Sequence, residues 1–202
     1  MTTKSAPTQQ ISHKERLLRD GMKLVYADGF HGTTVDAVLA VSGVPKGSFY
    51  HHFGSKEVFA QALLDRYTEY QSALLGGWIK KDDLSTSARL TGYFTEVAAH
   101  FVRTGYQRAC LAGKLSTEMG ATSEAFRIPL SKSILGMKDD FAGLLEQGQQ
   151  AGDVRTDRSA ADMADGVLAL IQGAFVVALS TRDEQSLAAV ADTINSVIAP
   201  PA

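Results

Sequence analysis

The chain has 202 residues, of which 45% are hydrophobic and 21% charged, the make-up of a soluble globular protein large enough to bury a sizeable core. A net charge of −2 excludes a surface coated in basic patches, and a single cysteine, Cys110, excludes an intramolecular disulfide and fits a reducing cytoplasm. The charge is nevertheless uneven: residues 1–66 carry a net +2 and residues 67–202 a net −4, so a polyanion would meet the N-terminal third.

The opening MTTKSAPTQQ lacks a charged start followed by an apolar run and reads as a disordered leader, residues 1–11, not a signal peptide. From Ser12 the apolar residues Leu17, Leu18, Met22, Leu24 and Val25 repeat at helical spacing. Ser12 and Glu15 form a capping-box pattern, and Gly29 supplies a stop. Thr33-Thr34-Val35-Asp36 opens a short second helix that ends at Ser42-Gly43. Pro45 stands where a third helix begins, with Phe49 and Phe53 four apart on one inward face. Lys46, Ser48, Tyr50 and His51 are left looking outward. Ser55 caps a long fourth helix that runs through Phe59, Leu63, Tyr67, Tyr70 and Leu74 to Gly76-Gly77.

Helical periodicity continues to the end of the chain, and alternating strand patterns are absent, so the fold class is all-α. Leu90 to Phe101, Cys110 to Met119 and Ile134 to Leu145 mark three more helices. Two last ones run from Ser159 to Ser180 and from Glu184 to Ile198. The apolar run from Val167 to Leu179 is too short to cross a bilayer and is interrupted by Gln172, so it reads as a buried helix or subunit interface, with no membrane.

The nine residues PKGSFYHHF, 45–53, admit four readings. A phosphate loop is excluded because no strand leads in and no glycine lies five residues before Gly47. A metal pair fails because adjacent helical histidines point about 100° apart. A solvated helix with an aromatic anchor explains Phe49 and Phe53 but leaves Tyr50 and His51 without purpose. A helix-turn-helix recognition element uses every residue: Lys46 and His51 for phosphates or guanine edges, Gly47 for close approach, Ser48 and Tyr50 for hydroxyl contacts.

The run GFHGTTVDAVLAVSGVPKGSFYHHFGSKEVF from Gly29 resembles the N-terminal signature of the TetR/AcrR family of bacterial transcriptional regulators. The shared features are the G-F-x-x-T-T opening, the S-G-V turn, the K-G-x-F-Y-x-H-F helix and the S-K-E that follows. The resemblance is strong over roughly residues 12–60. It implies a homodimer with a three-helix DNA-binding head (12–58) joined by a long helix to a helical ligand-binding and dimerising body (59–199). It carries over Thr33, Thr34, Lys46, Gly47, Ser48, Tyr50, His51, His52 and Lys56 as contacts to double-stranded operator DNA. Pro45 departs from the commoner Ser, Thr or Ala, which removes a cap hydroxyl near the DNA backbone.

The resemblance places the dimer contact on the last two helices, where Gly166, Gly173 and Ala174 allow close approach and Leu187, Val190, Ile194 and Val197 could complete a two-fold bundle. The effector pocket is expected among Phe94, Phe101, Tyr106, Met137, Phe141 and Phe175, with Tyr93, Val97 and Met119 nearby and His100, Lys114 and Gln172 as polar anchors. Aromatic and Met residues at this spacing are also ordinary core. Cys110 opens a helix after a Gly-containing turn, beside Arg108 and Lys114, a setting that favours thiolate. The same segment resembles cysteine-dependent, electrophile-responsive repressors of the family; the alternative is a small buried apolar side chain. The expected function is a ligand-responsive repressor that needs no cofactor. Against it stand a Cys110-dependent enzyme, for which His100 is the one histidine outside the head, and a helical module that docks a partner protein.

Overall fold

The computed structural model describes residues 11–201, so the expected leader lies almost wholly outside them. Among these residues there are nine helices and no strand: α1 (His13–Gly32), α2 (Val35–Ser42), α3 (Lys46–Phe53), α4 (Lys56–Ile79), α5 (Thr86–Arg103), α6 (Leu111–Met119), α7 (Glu124–Ala151), α8 (Ala160–Thr181) and α9 (Gln185–Ile198). Two compact units divide between Leu63 and Leu64, inside α4.

In the first unit the caps at Ser12 and Ser55 act as the sequence predicts, while α2 is capped at Thr34, two residues before Asp36 and not three. The Ser12 hydroxyl accepts from the Glu15 N–H at 3.2 Å, Thr34 from Ala37 at 3.1 Å, and Ser55 from Val58 at 3.2 Å. Gly29 breaks α1 with a φ of 73°, and a further turn to Gly32 leads into α2. The core gathers Leu17, Val25, Phe30, Val38, Phe49, Phe53, Phe59 and Leu63, all buried. Asp20 is buried beside Arg19 and Lys23, each 2.8 Å from a carboxylate oxygen. The hydrogen bond from Arg19 pulls its carboxyl down to about 2.

The second unit is a helical body built on one large apolar core that runs from Leu75 to Ile198. α4 does not stop at Gly76-Gly77 but continues to Ile79. Trp78 seats its ring over Gly92 of α5 and donates from Nε1 to Glu96 at 2.8 Å, which holds the extra turn. α5 starts under two caps: the Ser85 hydroxyl takes the Ala88 N–H, and the Asp153 carboxylate takes the Thr86 N–H at 2.8 Å. α7 begins ten residues before Ile134 and contains Pro129 in its second turn.

α8 is 22 residues, longer than the 13-residue apolar run seen in the sequence, and by length and mean hydropathy (1.8) it could span a bilayer. Instead it packs between α7 and α9, burying Met163, Val167, Leu168, Ile171 and Phe175 in the core. Its outer stripe stays exposed: Gly166, Ala169, Gly173, Val176, Val177 and Ser180. On α9 the structure differs from expectation. Leu187 and Ile194 turn into the core of their own body, because α5 lies along that side of α9.

Candidate nucleic-acid interface and effector region

Gly43 ends α2 with a left-handed backbone (φ 61°), which bends the chain sharply into α3. The Arg16 guanidinium clamps this turn from α1 by donating to the carbonyls of Ser42 and Gly43. Pro45 then sets the N-cap of α3 without a side-chain cap bond, and its carbonyl takes the Ser48 N–H at 2.9 Å.

Three rings fix the rotation of α3. Phe49 and Phe53 pack on each other (5.5 Å between centroids) and on Phe59 of α4 at 5.2 and 4.9 Å. With that face buried, Lys46, Gly47, Tyr50, His51 and His52 stand on the exposed face, Tyr50 with 45% of its surface open. A Cβ at Gly47 would meet nothing within 4 Å, so the chain's own packing does not require glycine there.

The remaining carried-over residues divide. Thr34 is exposed at the N-cap of α2, but Thr33 is buried: its hydroxyl donates to the Gly29 carbonyl at 2.7 Å and its N–H to the same oxygen at 3.2 Å. The expectation that its side chain faces DNA is therefore corrected; it secures the bend at Gly29 instead. The Ser48 hydroxyl is shared with His13 Nδ1 at 3.0 Å, which brings His13 to the exposed edge of α3. Lys46 lies 3.4 Å from Asp36, a loose and largely exposed pair that is easily exchanged for another anion. Lys56 holds its ammonium 4.3 Å above the Phe30 ring. His13 and Arg16 carried no signal in the sequence, since their partners lie 35 and 26 residues away.

In the body the candidate effector residues do not line one cavity. Phe101, Phe141 and Phe175 are closed inside the core, Phe101 and Phe175 edge to face at 5.2 Å. Phe94 reaches a groove of about 370 Å³ between α5 and α9, lined by Ala98, Val102, Arg103, Glu184, Leu187 and Ala188 among others. Met137 borders a narrow polar crevice of about 10 Å³, room for one water. There the Tyr93 hydroxyl donates to Gln71 Oε1 at 3.1 Å, and Thr68 and Ser133 share a hydrogen bond of 2.7 Å. Burial pushes the Tyr93 phenol up, with Cys110 and Asp140 nearby adding to it; burial likewise raises the Asp140 carboxyl.

Cys110 is the N-cap of α6 and is buried, its sulfur accepting the Gly113 N–H at 3.3 Å. The Gln172 carboxamide of α8 faces the same turn: a Cβ on Gly113 would come 2.6 Å from Gln172 Oε1 and 3.6 Å from the Cys110 sulfur. The Gln172 Nε2 is buried with no hydrogen-bond partner. His100, on α5, is held below its usual range by burial and by Arg108 and Arg103. Tyr106 lies in the loop before Cys110, its ring 5.3 Å from that of Phe101.

A helix-turn-helix head with a rigid aromatic anchor and an exposed polar face, followed by a separate all-helical body, defines a DNA-binding transcriptional regulator. The model of the family described as bacterial regulatory proteins, tetR family, matches residues 17–63, and that of the tetracyclin repressor-like C-terminal domain matches residues 86–194. The chain belongs to the TetR family. It is 32% identical over 174 residues to the transcriptional regulator AcuR of Cereibacter sphaeroides, covering 86% of this chain and 78% of that one. It is 30% identical to the HTH-type transcriptional repressor NemR of Escherichia coli, covering 94% and 95%. Among solved structures, the reduced form of E. coli NemR superimposes with a TM-score of 0.85 at 30% identity, over 94% of this chain and 98% of that one. A regulatory protein TetR from Rhodobacter sphaeroides gives 0.85 at 29%, over 91% and 97%. These relatives are regulators, and so is this chain; the enzymatic alternative falls with them.

Proposed function

We propose that this chain is a cytoplasmic, homodimeric repressor that grips a palindromic operator with α3 and releases it when a small molecule or reactive electrophile enters the body. The observation that carries the DNA half is the rotation of α3 by Phe49 and Phe53, which turns Lys46, Gly47, Tyr50, His51 and His52 outward together beside Thr34. Tyr50 and His51 supply donors and acceptors for base edges, and Lys46 exchanges Asp36 for a phosphate. Gly47 keeps the backbone accessible to DNA, since nothing within the chain occupies its side-chain position. Ser48 acts with His13, and Thr34 and Lys56 take flanking phosphates. Binding of purified protein to operator fragments across a salt series tests this. Lys46→Ala should lower the slope of log affinity against log salt by about 1, and Tyr50→Ala should weaken binding at least tenfold. Unchanged affinity in both variants would overturn the assignment.

Dimerisation is assigned to the exposed stripe of α8, in which Val176 (65% exposed) and Val177 stand open among Gly166, Ala169 and Gly173. Two heads at fixed spacing then meet successive major grooves, and an effector that favours another arrangement of the dimer shifts the population off DNA. Val176→Glu should give a monomer by sedimentation; a dimer of unchanged affinity would remove α8 from the interface.

Cys110 is assigned as the reactive group for electrophiles. Its sulfur sits at the N-terminus of α6, at the turn around Gly113 that the Gln172 carboxamide also faces. Release of operator after N-ethylmaleimide should occur in the wild type and not in Cys110→Ala. Equal release from both would end this reading.

A further inference from the structure

Among the described residues, Tyr106 and Arg182 are the two other than glycine with a left-handed backbone, φ 61° and 57°. Side chains with a Cβ adopt this conformation at an energetic penalty, so the surroundings must impose it. Here both residues stand at helix ends, and they are joined to each other across 76 positions of sequence. The Tyr106 hydroxyl donates to the Arg182 carbonyl at 3.1 Å, and Arg182 Nη1 donates to the Gly105 carbonyl at 2.9 Å. The guanidinium carbon stands 5.2 Å from the centre of the Tyr106 ring.

Each partner also closes a helix. Arg182 is the C-cap of α8, its N–H on the Ala178 carbonyl at 2.9 Å. The Tyr106 N–H closes the end of α5 on the Phe101 carbonyl, also at 2.9 Å. From Tyr106 only Gln107, Arg108 and Ala109 lead to Cys110. Cys110 is buried, so a reagent reaches its sulfur when the structure around it opens, and this loop is the segment that leads directly into it. Tyr106 is half-buried and Arg182 exposed, so their contact can open without breaching the apolar core beneath.

We propose that Tyr106 and Arg182 form a latch by which the α8–α9 corner positions the loop leading to Cys110, with Arg182 as the positioning residue. Opening the loop then frees the C-terminal end of α8, and disturbance of α8 exposes Cys110. Its place in signalling rests on the reading of Cys110 as the reactive group; the mechanical link stands apart from that reading and is tested without it.

The experiment uses the full chain as wild type, Tyr106→Phe, Arg182→Gly and the double variant. Glycine at 182 keeps the left-handed backbone while removing the guanidinium contacts. Amide hydrogen exchange of residues 110–114, including the Gly113 N–H bound to the Cys110 sulfur, should rise about fivefold or more in each single variant. The double variant should rise no more than the larger single one, since both remove one device. Exchange at Leu144 and Leu145 in the core and throughout α1–α3 should not change. Unaltered exchange at 110–114, or additive effects, would overturn the latch. If Arg182→Gly loosens the core as well, Tyr106→Phe decides alone. Alkylation of Cys110 by N-ethylmaleimide, followed by intact mass, should accelerate by a similar factor in both variants, and an unchanged rate counts against the latch. An alkylated wild type that keeps its operator would sink the sensor role of Cys110 and leave the exchange result to decide the latch.

Discussion

The ring of Phe59 occupies the space that a side chain at position 21 would need: a Cβ built on Gly21 would lie 2.3 Å from Phe59 Cζ. α1 and α4 approach this closely because Gly21 lacks a side chain, and Phe59 can then complete the aromatic cluster that orients α3. Gly21→Ala gains about 1 kcal/mol of helix propensity but forces the buried ring to move, at about 1–3 kcal/mol. The clash should win, because Phe59 is 2% exposed and held by Phe49 and Phe53. Chemical denaturation should show a net loss, and Phe59→Leu should recover part of it in the Gly21→Ala background. A stabilised Gly21→Ala would mean that the helices can part there.

Thr33 and Thr34 are neighbours with opposite duties. Thr33→Val removes a buried hydroxyl bonded to the Gly29 carbonyl and should lower stability by about 1 kcal/mol, with operator affinity unchanged well below the melting temperature. Thr34→Ala removes the N-cap of α2, again about 1 kcal/mol, and should also weaken operator binding because its hydroxyl is exposed. Melting curves paired with operator titrations separate the two; a loss of affinity in Thr33→Val alone would reverse the assignment.

Asp20 makes the first unit sensitive to acid. Its folded carboxyl titrates at about 2, below the usual value near 4, so its contribution is complete above about pH 4–5. As pH falls from there through 2 the proton returns and the contribution is lost. Because Arg19 and Lys23 are about half exposed, screening limits it to at most about 2 kcal/mol. Asp20→Asn should be less stable than wild type at pH 7, and the gap should close towards pH 2. A gap constant with pH would show that the ion pairs contribute nothing.

Gln172 carries a buried amide nitrogen with no partner. Gln172→Leu should therefore leave the melting temperature unchanged or raise it, by up to about 1 kcal/mol of stability, since no hydrogen bond is lost. Gln172→Glu should destabilise, because it places a charge in the same position. A clear loss in Gln172→Leu would show that a water or solute satisfies the amide in solution.

Much of the head was legible because its signals are local. Caps at Ser12 and Ser55 bind an N–H three residues on, and Phe49 with Phe53 faces inward through the helical period alone. The body was read less well. Its apolar stripes identify helices, but whether Leu187 and Ile194 meet a second copy or the same chain depends on where α5 lies.

The sequence by itself determined an all-α chain, the helix-turn-helix, the outward set on α3 and the placing of Cys110 near a helix start, all through contacts within about four residues. Tertiary structure alone decided that Thr33 turns inward, that His13 shares Ser48, that Arg16 clamps the α2–α3 turn and that Tyr106 meets Arg182. Apart from Thr33, these pairings join residues far apart in the chain and leave no periodic trace, because they depend on how whole helices pack. Thr33 is local, yet its neighbour Thr34 is an equally good cap by composition; the bend at Gly29 chose between them.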